Sequence, residues 1–167
     1  MVSSRPFDPL DEAYRQWNDR WPEAALSMAT ATAVMRAQQI ILQSVDTALR
    51  PFNLTFARYE ALALLSFSRA GELPMGKIGH RLMIHPTSVT SIIDRLVRDH
   101  LVERRRHETD RRTTLAHITD LGRELVQQAT DVLNAEGFGV RAMSDTEMKD
   151  LIALVRTLRA HAGDPVS

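Results

Sequence analysis

Pro74 and Pro86 divide the middle of this 167-residue chain into two short helices, and that spacing limits the fold more than any other feature. Proline fixes φ and lacks an N–H, so a helix tolerates it only in its first turn. Pro74 therefore opens one helix, Met75 to Leu82, and Pro86 opens another, Thr87 to about His100. A joint of three to four residues separates them. A strand-like run follows from Leu101 to His107, then a polar turn, Glu108 to Arg112, then a second strand-like run, Thr113 to Ile118. Two tightly joined helices followed by a hairpin describe a winged helix-turn-helix.

Helical segments flank this unit. Asp8 is placed to cap a helix that opens at Pro9, and Leu10, Ala13, Tyr14, Trp17 and Trp21 form its apolar face. Pro22 starts the next helix. From Glu23 to about Leu49 that helix carries only one charge, Arg36, before Asp46. A helix so apolar must be buried on more than one side, and in a chain this small the extra side meets another subunit. Pro51 ends it. Thr55 is expected to cap a third helix through about Ser68, with Phe56, Tyr59, Leu62, Ala63 and Leu65 buried and Ala70-Gly71 as the break. Beyond the hairpin, Thr119 caps a long helix to about Asn134. Ser144 and Glu147 form a capping box for the last one, whose apolar stripe is Met148, Leu151, Ile152, Val155 and Leu158. The fold class is mainly α with a small β-hairpin: a winged helix-turn-helix plus a helical dimerisation region. The expected division is 1–50 for N-terminal dimerisation helices, 51–118 for the DNA-binding domain and 119–167 for C-terminal dimerisation helices.

Composition removes several alternatives. With no cysteine, disulfides, thiolate zinc sites, cysteine nucleophiles and thiol redox sensing are excluded. No apolar run approaches the roughly 20 residues that cross a bilayer, and the N-terminus, MVSSRPFDPLDE, has no signal-peptide pattern. Neither a membrane partner nor any location but the cytoplasm is expected. No glycine-rich phosphate loop, dinucleotide fingerprint or nucleophile elbow is present, so an enzyme is not expected, nor a cofactor. The six histidines show no i,i+4 pair of the kind that binds zinc on a helix, and no metal site is expected.

Net charge is zero, which does not favour nucleic acid. Its distribution does. Between Arg95 and Arg112 lie seven arginines against four acids. On charge alone these could form a solvated salt-bridge surface. The helix after Pro86 argues otherwise. Val89, Ile92, Ile93 and Leu96 fall on one face; Thr87, Ser91, Asp94, Arg95 and Arg98 fall on the other. Small hydroxyls near the helix start admit close approach to base edges, and arginines suit phosphates. The hairpin turn then projects Arg111 and Arg112 from a narrow tip, a shape that can enter a minor groove. Arg104, Arg105 and Arg106 add charge along the strand leading there, some of them paired with Glu103, Glu108 or Asp110. The candidate DNA contacts are Thr87, Ser88, Thr90, Ser91, Arg95, Arg98, Arg106, Arg111 and Arg112.

The run from Ile84 to Gly122 resembles the MarR family of bacterial regulators. The likeness lies in the hydroxyl-rich helix, the Asp94-Arg95-Leu96 segment, the Leu101-Val102-x-Arg104 step, the Asp110-Arg111-Arg112 tip and the Ile118-Thr119-x-x-Gly122 start of the next helix. The resemblance implies a triangular homodimer with intertwined terminal helices and two winged domains on adjacent major grooves. It implies that Arg112 enters the minor groove and Asp110 braces the wing. It also implies an apolar cleft for a small, often aromatic or anionic, ligand that weakens DNA binding. Candidate ligand contacts are Trp17, Trp21, Arg36, Tyr59, Glu60 and Arg104. Two departures stand out. Gly79 replaces a small helix former in the first helix of the motif, and the segment before Pro22 is longer than the family core. A urate-responsive subgroup has such an extra helix, with a tryptophan that resembles Trp17, and Arg104 matches it. Glu60 stands where that subgroup has Asp, and Ile92 where it has Arg, which counts against urate.

The expected function is that of a sequence-specific DNA-binding transcriptional regulator. It would be a repressor on a near-palindromic operator in duplex DNA, released by a small aromatic or anionic ligand. The competing reading is a ligand-independent architectural or constitutive DNA binder.

Overall fold

A computed structural model describes residues 7–107, 110 and 112–166. They fall into two compact units that divide between Gln43 and Ser44. The first holds helix α1, Pro9–Arg20, and most of α2, Pro22–Leu49. The Asp8 carboxylate caps α1 by accepting from the Leu10 N–H at 2.8 Å. Within α2 only Ala25, Val45 and Leu49 are buried, while Leu26 is 72% exposed, and Val34, Met35, Ile40 and Leu42 are also exposed. A helix this apolar is thus left with an open apolar face within its own chain.

The second unit begins with the last turns of α2 and a 3₁₀ turn, Arg50–Phe52. Helix α3 spans Phe56–Ser66. Its N-cap residue is Thr55, as the sequence suggests, but the Thr55 hydroxyl makes no capping bond. Asp46 of α2 does that work, its Oδ1 accepting from the Phe56 N–H at 3.2 Å. A long-range cap of this kind has no local sequence signal.

Strand β1 (Glu72–Pro74), helix α4 (Met75–Leu82), helix α5 (Pro86–Arg98), strand β2 (Val102–Arg106) and strand β3 (Thr114–Ile118) follow. The sheet is antiparallel in the order β1-β3-β2. The expected hairpin is β2-β3; β1 is an addition that pairs Leu73 with Ala116. It anchors the wing to the body of the unit. Gly79 does not interrupt α4. A Cβ there would lie 3.1 Å from Val89 Cγ2 and 3.3 Å from the Ile84 carbonyl oxygen, so its bare Cα lets α4 sit close against α5.

Helix α6, Asp120–Glu136, is capped by the Thr119 hydroxyl, and α7, Asp145–His161, by the Ser144/Glu147 box. One core unites α3, α4, α5, the sheet and α6, through Leu62, Leu65, Ile78, Val89, Ile93, Leu96, Val102, Ile118 and Leu133, all fully buried. Each contributes roughly 1.5–3 kcal/mol on burial. Helix α7 buries none of its residues; Ile152, Leu154, Val155 and Leu158 are exposed.

Among the described residues, no helix is long and apolar enough to cross a membrane.

Candidate nucleic-acid interface

Helix α5 turns Val89, Ile93 and Leu96 into the core and leaves its other face to solvent. Ile92, on the apolar side of the helical wheel, is half-buried. On the open face, Pro86, Thr87, Thr90, Ser91, Asp94, Arg95 and Arg98 line a shallow concavity. Ser88 is exposed on the same helix but outside that concavity. The hydroxyls differ in their engagement. Thr87 is held by His85, the N-cap, whose Nδ1 lies 3.3 Å from the Thr87 N–H and 3.1 Å from its hydroxyl. The Thr90 hydroxyl donates to the Pro86 carbonyl at 3.2 Å. The Ser91 hydroxyl makes no hydrogen bond among the described residues and lies exposed at mid-face, which suits a base edge best.

Asp94 is a carboxylate beside Arg95 and Arg98 in that concavity. Arg104 on β2 reaches across and pairs with it at 2.8 Å. The pair removes a repulsive charge from the concavity and ties the wing strand to α5. Arg104 is thus engaged within the interface. Next along β2, Arg105 pairs with Glu103 at 3.1 Å, and Arg106 is exposed.

The wing tip is held by Asp110. Its Oδ1 accepts from the Arg112 N–H at 3.0 Å, its Oδ2 from the Thr113 hydroxyl at 2.6 Å, and its own N–H donates to His107 Nδ1 at 3.3 Å. This is an Asx-type turn, in which a side chain substitutes for a backbone bond. Arg112 is exposed beside it. Arg111 lies outside the described residues. The Thr113 hydroxyl, and then the Arg112 N–H, hold the Asp110 carboxyl below its ordinary value. Those bonds stabilise the turn at every pH above the usual aspartate range and are lost as pH falls through the lowered folded value. The Arg112 amide should therefore keep its hydrogen-bonded chemical shift through the pH at which a free aspartate protonates. Loss of that shift near pH 4, the range of an unperturbed aspartate, would show that Asp110 does not hold the tip.

The candidate ligand residues divide between the two units. In the first, the Trp17 and Trp21 rings meet at a tilt of 50° with centroids 4.9 Å apart, both substantially exposed. Arg36 is exposed and bonds Gln39 at 3.2 Å. In the second, Tyr59 is buried and shares a 3.0 Å hydrogen bond with the Thr130 hydroxyl, as a core tyrosine does. Glu60, next to it, is half-buried, and burial pushes its carboxyl up. One charged pair has no signal in the sequence. Arg58 of α3 is 8% exposed and ion-paired to Asp99, the C-cap of α5.

Residues 54–114 match the MarR family model. The chain is 31% identical over 117 residues to the HTH-type transcriptional regulator YhbI of Bacillus subtilis, covering 70% of this chain and 73% of that protein. It is 55% identical to Sco5413, a MarR family transcriptional regulator from Streptomyces coelicolor, with a TM-score of 0.77 over 84% of this chain and 98% of that one. The chain belongs to the MarR family. It is a DNA-binding transcriptional regulator with the winged helix-turn-helix of that family. The fold is also shared by CouR from Rhodococcus jostii RHA1, whose structure holds p-coumaroyl-CoA (24% identity, TM-score 0.68, covering 85% of this chain and 97% of that one).

Proposed function

We propose that this MarR-family chain is a homodimeric repressor that reads a near-palindromic operator through α5 and is released by a small aromatic or anionic ligand. The observation that carries the DNA half is the α5 face: hydroxyls of Thr87, Thr90 and Ser91 at its start and centre, Arg95 and Arg98 at its end, with Asp94 neutralised by Arg104. In this reading Ser91 and Thr87 contact base edges, and Ser88 and Thr90 flank them. Arg95, Arg98 and Arg106 meet phosphates, and Arg112 enters the minor groove with Arg111 beside it and Asp110 bracing both. Residues 51–118 bind DNA, and residues 1–50 and 119–167 supply the dimer helices. Exposed apolar side chains on α2 and α7 support that assignment. The protein acts on chromosomal DNA in the cytoplasm.

The ligand half is supported by an exposed tryptophan pair, Trp17 and Trp21, by the raised carboxyl of Glu60, and by CouR, a protein of the same fold whose structure holds p-coumaroyl-CoA. Without cysteine, the signal cannot be thiol oxidation.

The test is selection of binding sites from random duplexes. A dimer requires two half-sites about one helical turn apart. Ser91→Ala should change base preference at matching positions in both half-sites and cost on the order of 1–3 kcal/mol per contact. Arg112→Ala should instead weaken all duplexes by a similar factor, and where Arg112 in the minor groove also offsets phosphate charge, the dependence of log K on log salt should flatten by about one per lost contact. Unchanged preference in Ser91→Ala would show that α5 does not read the bases.

A further inference from the structure

We infer that Arg58 is a positioning residue for operator recognition, a bridge that holds the recognition helix α5 at a set geometry from the end of α2. The inference rests on the dimeric reading above. Arg58 projects from α3 and is buried. One arm of its guanidinium donates to the Asn53 carbonyl at 2.7 Å, and the other pairs with Asp99. The two partners belong to different elements. Asn53, with φ 53°, closes the 3₁₀ turn that ends α2, and the next residue, Leu54, donates its N–H back to the Leu49 carbonyl at 3.3 Å. Asp99 is the C-cap of α5 and donates its N–H to the Arg95 carbonyl at 3.0 Å. A single planar group therefore spans the exit of α2 and the exit of the recognition helix.

Stability does not explain this charge. Taking a guanidinium out of water is costly, and an apolar side chain of similar volume usually serves a core as well or better. Here the expense is visible: the Arg58 Nε is buried and has no hydrogen-bond partner among the described residues. What a buried arginine supplies is direction. Its donors leave a rigid fork at fixed angles, so two acceptors are held at a fixed separation, as no apolar side chain and no lysine could hold them. The direction matters because of what the two ends carry. Helix α2 is the proposed dimer helix, and α5 the proposed reader. The distance between the two α5 helices of a dimer depends on the angle at which each leaves its α2. That distance must match half-sites about 34 Å apart, and a small tilt moves the far end of a 13-residue helix off its bases.

Arg58→Met removes the bridge but fills the volume, and Asp99→Asn removes the ion pair from the solvent side, where folding is least at risk. Each full-length variant is checked for dimer mass and titrated against three duplexes: the selected operator, the operator with one base pair inserted between half-sites, and a random sequence. Wild type should discriminate strongly between the first two. In both variants that discrimination should fall about tenfold, the value of one misplaced base contact. Affinity for random duplex should stay within about twofold, because phosphate contacts do not require the spacing. A purely structural Arg58 would lower the melting temperature and leave the spacing preference at its wild-type value. That result overturns the inference and leaves the dimeric reading intact. A wild-type chain indifferent to spacing would remove the dimeric reading, and the role of Arg58 with it.

Discussion

Gly122→Ala should destabilise the protein by about 2–3 kcal/mol, although alanine is the better helix former. The reason is a backbone contact. Gly122 sits in the first turn of α6, and a Cβ placed on it would lie 2.3 Å from the Leu101 carbonyl oxygen and 2.9 Å from Ile118 Cγ1. The Leu101 oxygen cannot yield, because it accepts from the Thr119 N–H at 3.1 Å. The Thr119 hydroxyl is also committed: it donates to the His100 carbonyl at 2.9 Å and accepts from the Gly122 N–H at 3.0 Å. Two backbone segments, His100-Leu101 and Ile118 to Gly122, thus meet at one point, and a methyl there must part them. Overpacking costs about 1–3 kcal/mol, occasionally more, and an immovable carbonyl at such a distance belongs at the upper end. The propensity gain of about 1 kcal/mol offsets only part of it. For a chain of this size each kcal/mol moves the melting temperature by roughly 2–4 °C, so thermal unfolding should shift down by about 5–10 °C. A variant as stable as wild type would mean that α6 and the α5–β2 turn do not approach as described. The displaced turn joins the recognition helix to the wing, so DNA affinity should fall as well.

Gly122 also shows what could be read in the sequence and what could not. Its place in the Ile118-Thr119-x-x-Gly122 motif was legible, as was the cap at Thr119, because capping is a local rule. Why that position needs glycine was not, since the clash is with Leu101, on another element. The same division holds elsewhere. Pro74 marks α4 to the residue and Pro86 the start of α5 to within one, although α5 ends at Arg98 rather than near His100, and Ser144 with Glu147 marks α7. Strand β1 left no trace, because three residues ending in proline show neither alternation nor β-branched enrichment. Asp46 as the cap of α3 and Arg58 as the partner of Asp99 are bonds across 10 and 41 positions. Periodicity marks which face of a helix is buried, but not which polar residue is buried with it. At the interface, the hydroxyl face and the arginine face of α5 follow from helical phase alone. The pairing of Asp94 with Arg104 does not, because it depends on how β2 folds back beside α5.

Leu158→Glu should convert the protein from a dimer to a folded monomer. Helix α7 has an apolar stripe of Leu151, Val155 and Leu158, yet none of its residues is buried, and Leu158 is 61% exposed. Apolar side chains in such a row gain stability only if another surface covers them, and in the proposed homodimer a second copy of the chain supplies one by two-fold symmetry. Symmetry doubles every substitution, so each Leu158→Glu dimer would bury two carboxylates. An uncompensated buried charge costs about 3–5 kcal/mol, which puts the total penalty on association near 6 kcal/mol or above. That is a loss of about 10⁴-fold in dimer affinity. Leu158→Ala separates charge from contact: it deletes the side chain without adding a carboxylate and should weaken the dimer far less. Sedimentation at micromolar concentration should give about twice 18.8 kDa for wild type and Leu158→Ala, and 18.8 kDa for Leu158→Glu. Helical circular dichroism should persist in all three, because Leu158 is absent from the core of its own chain. A monomeric wild type would end the dimeric reading, whereas a Leu158→Glu variant that remains dimeric would remove only α7 from the interface. The monomer should still bind DNA through one winged domain, with the affinity of a half-site and the salt dependence of roughly half the phosphate contacts. Dimerisation would then account for the specificity of the regulator, while the chemistry of contact stays within a single chain.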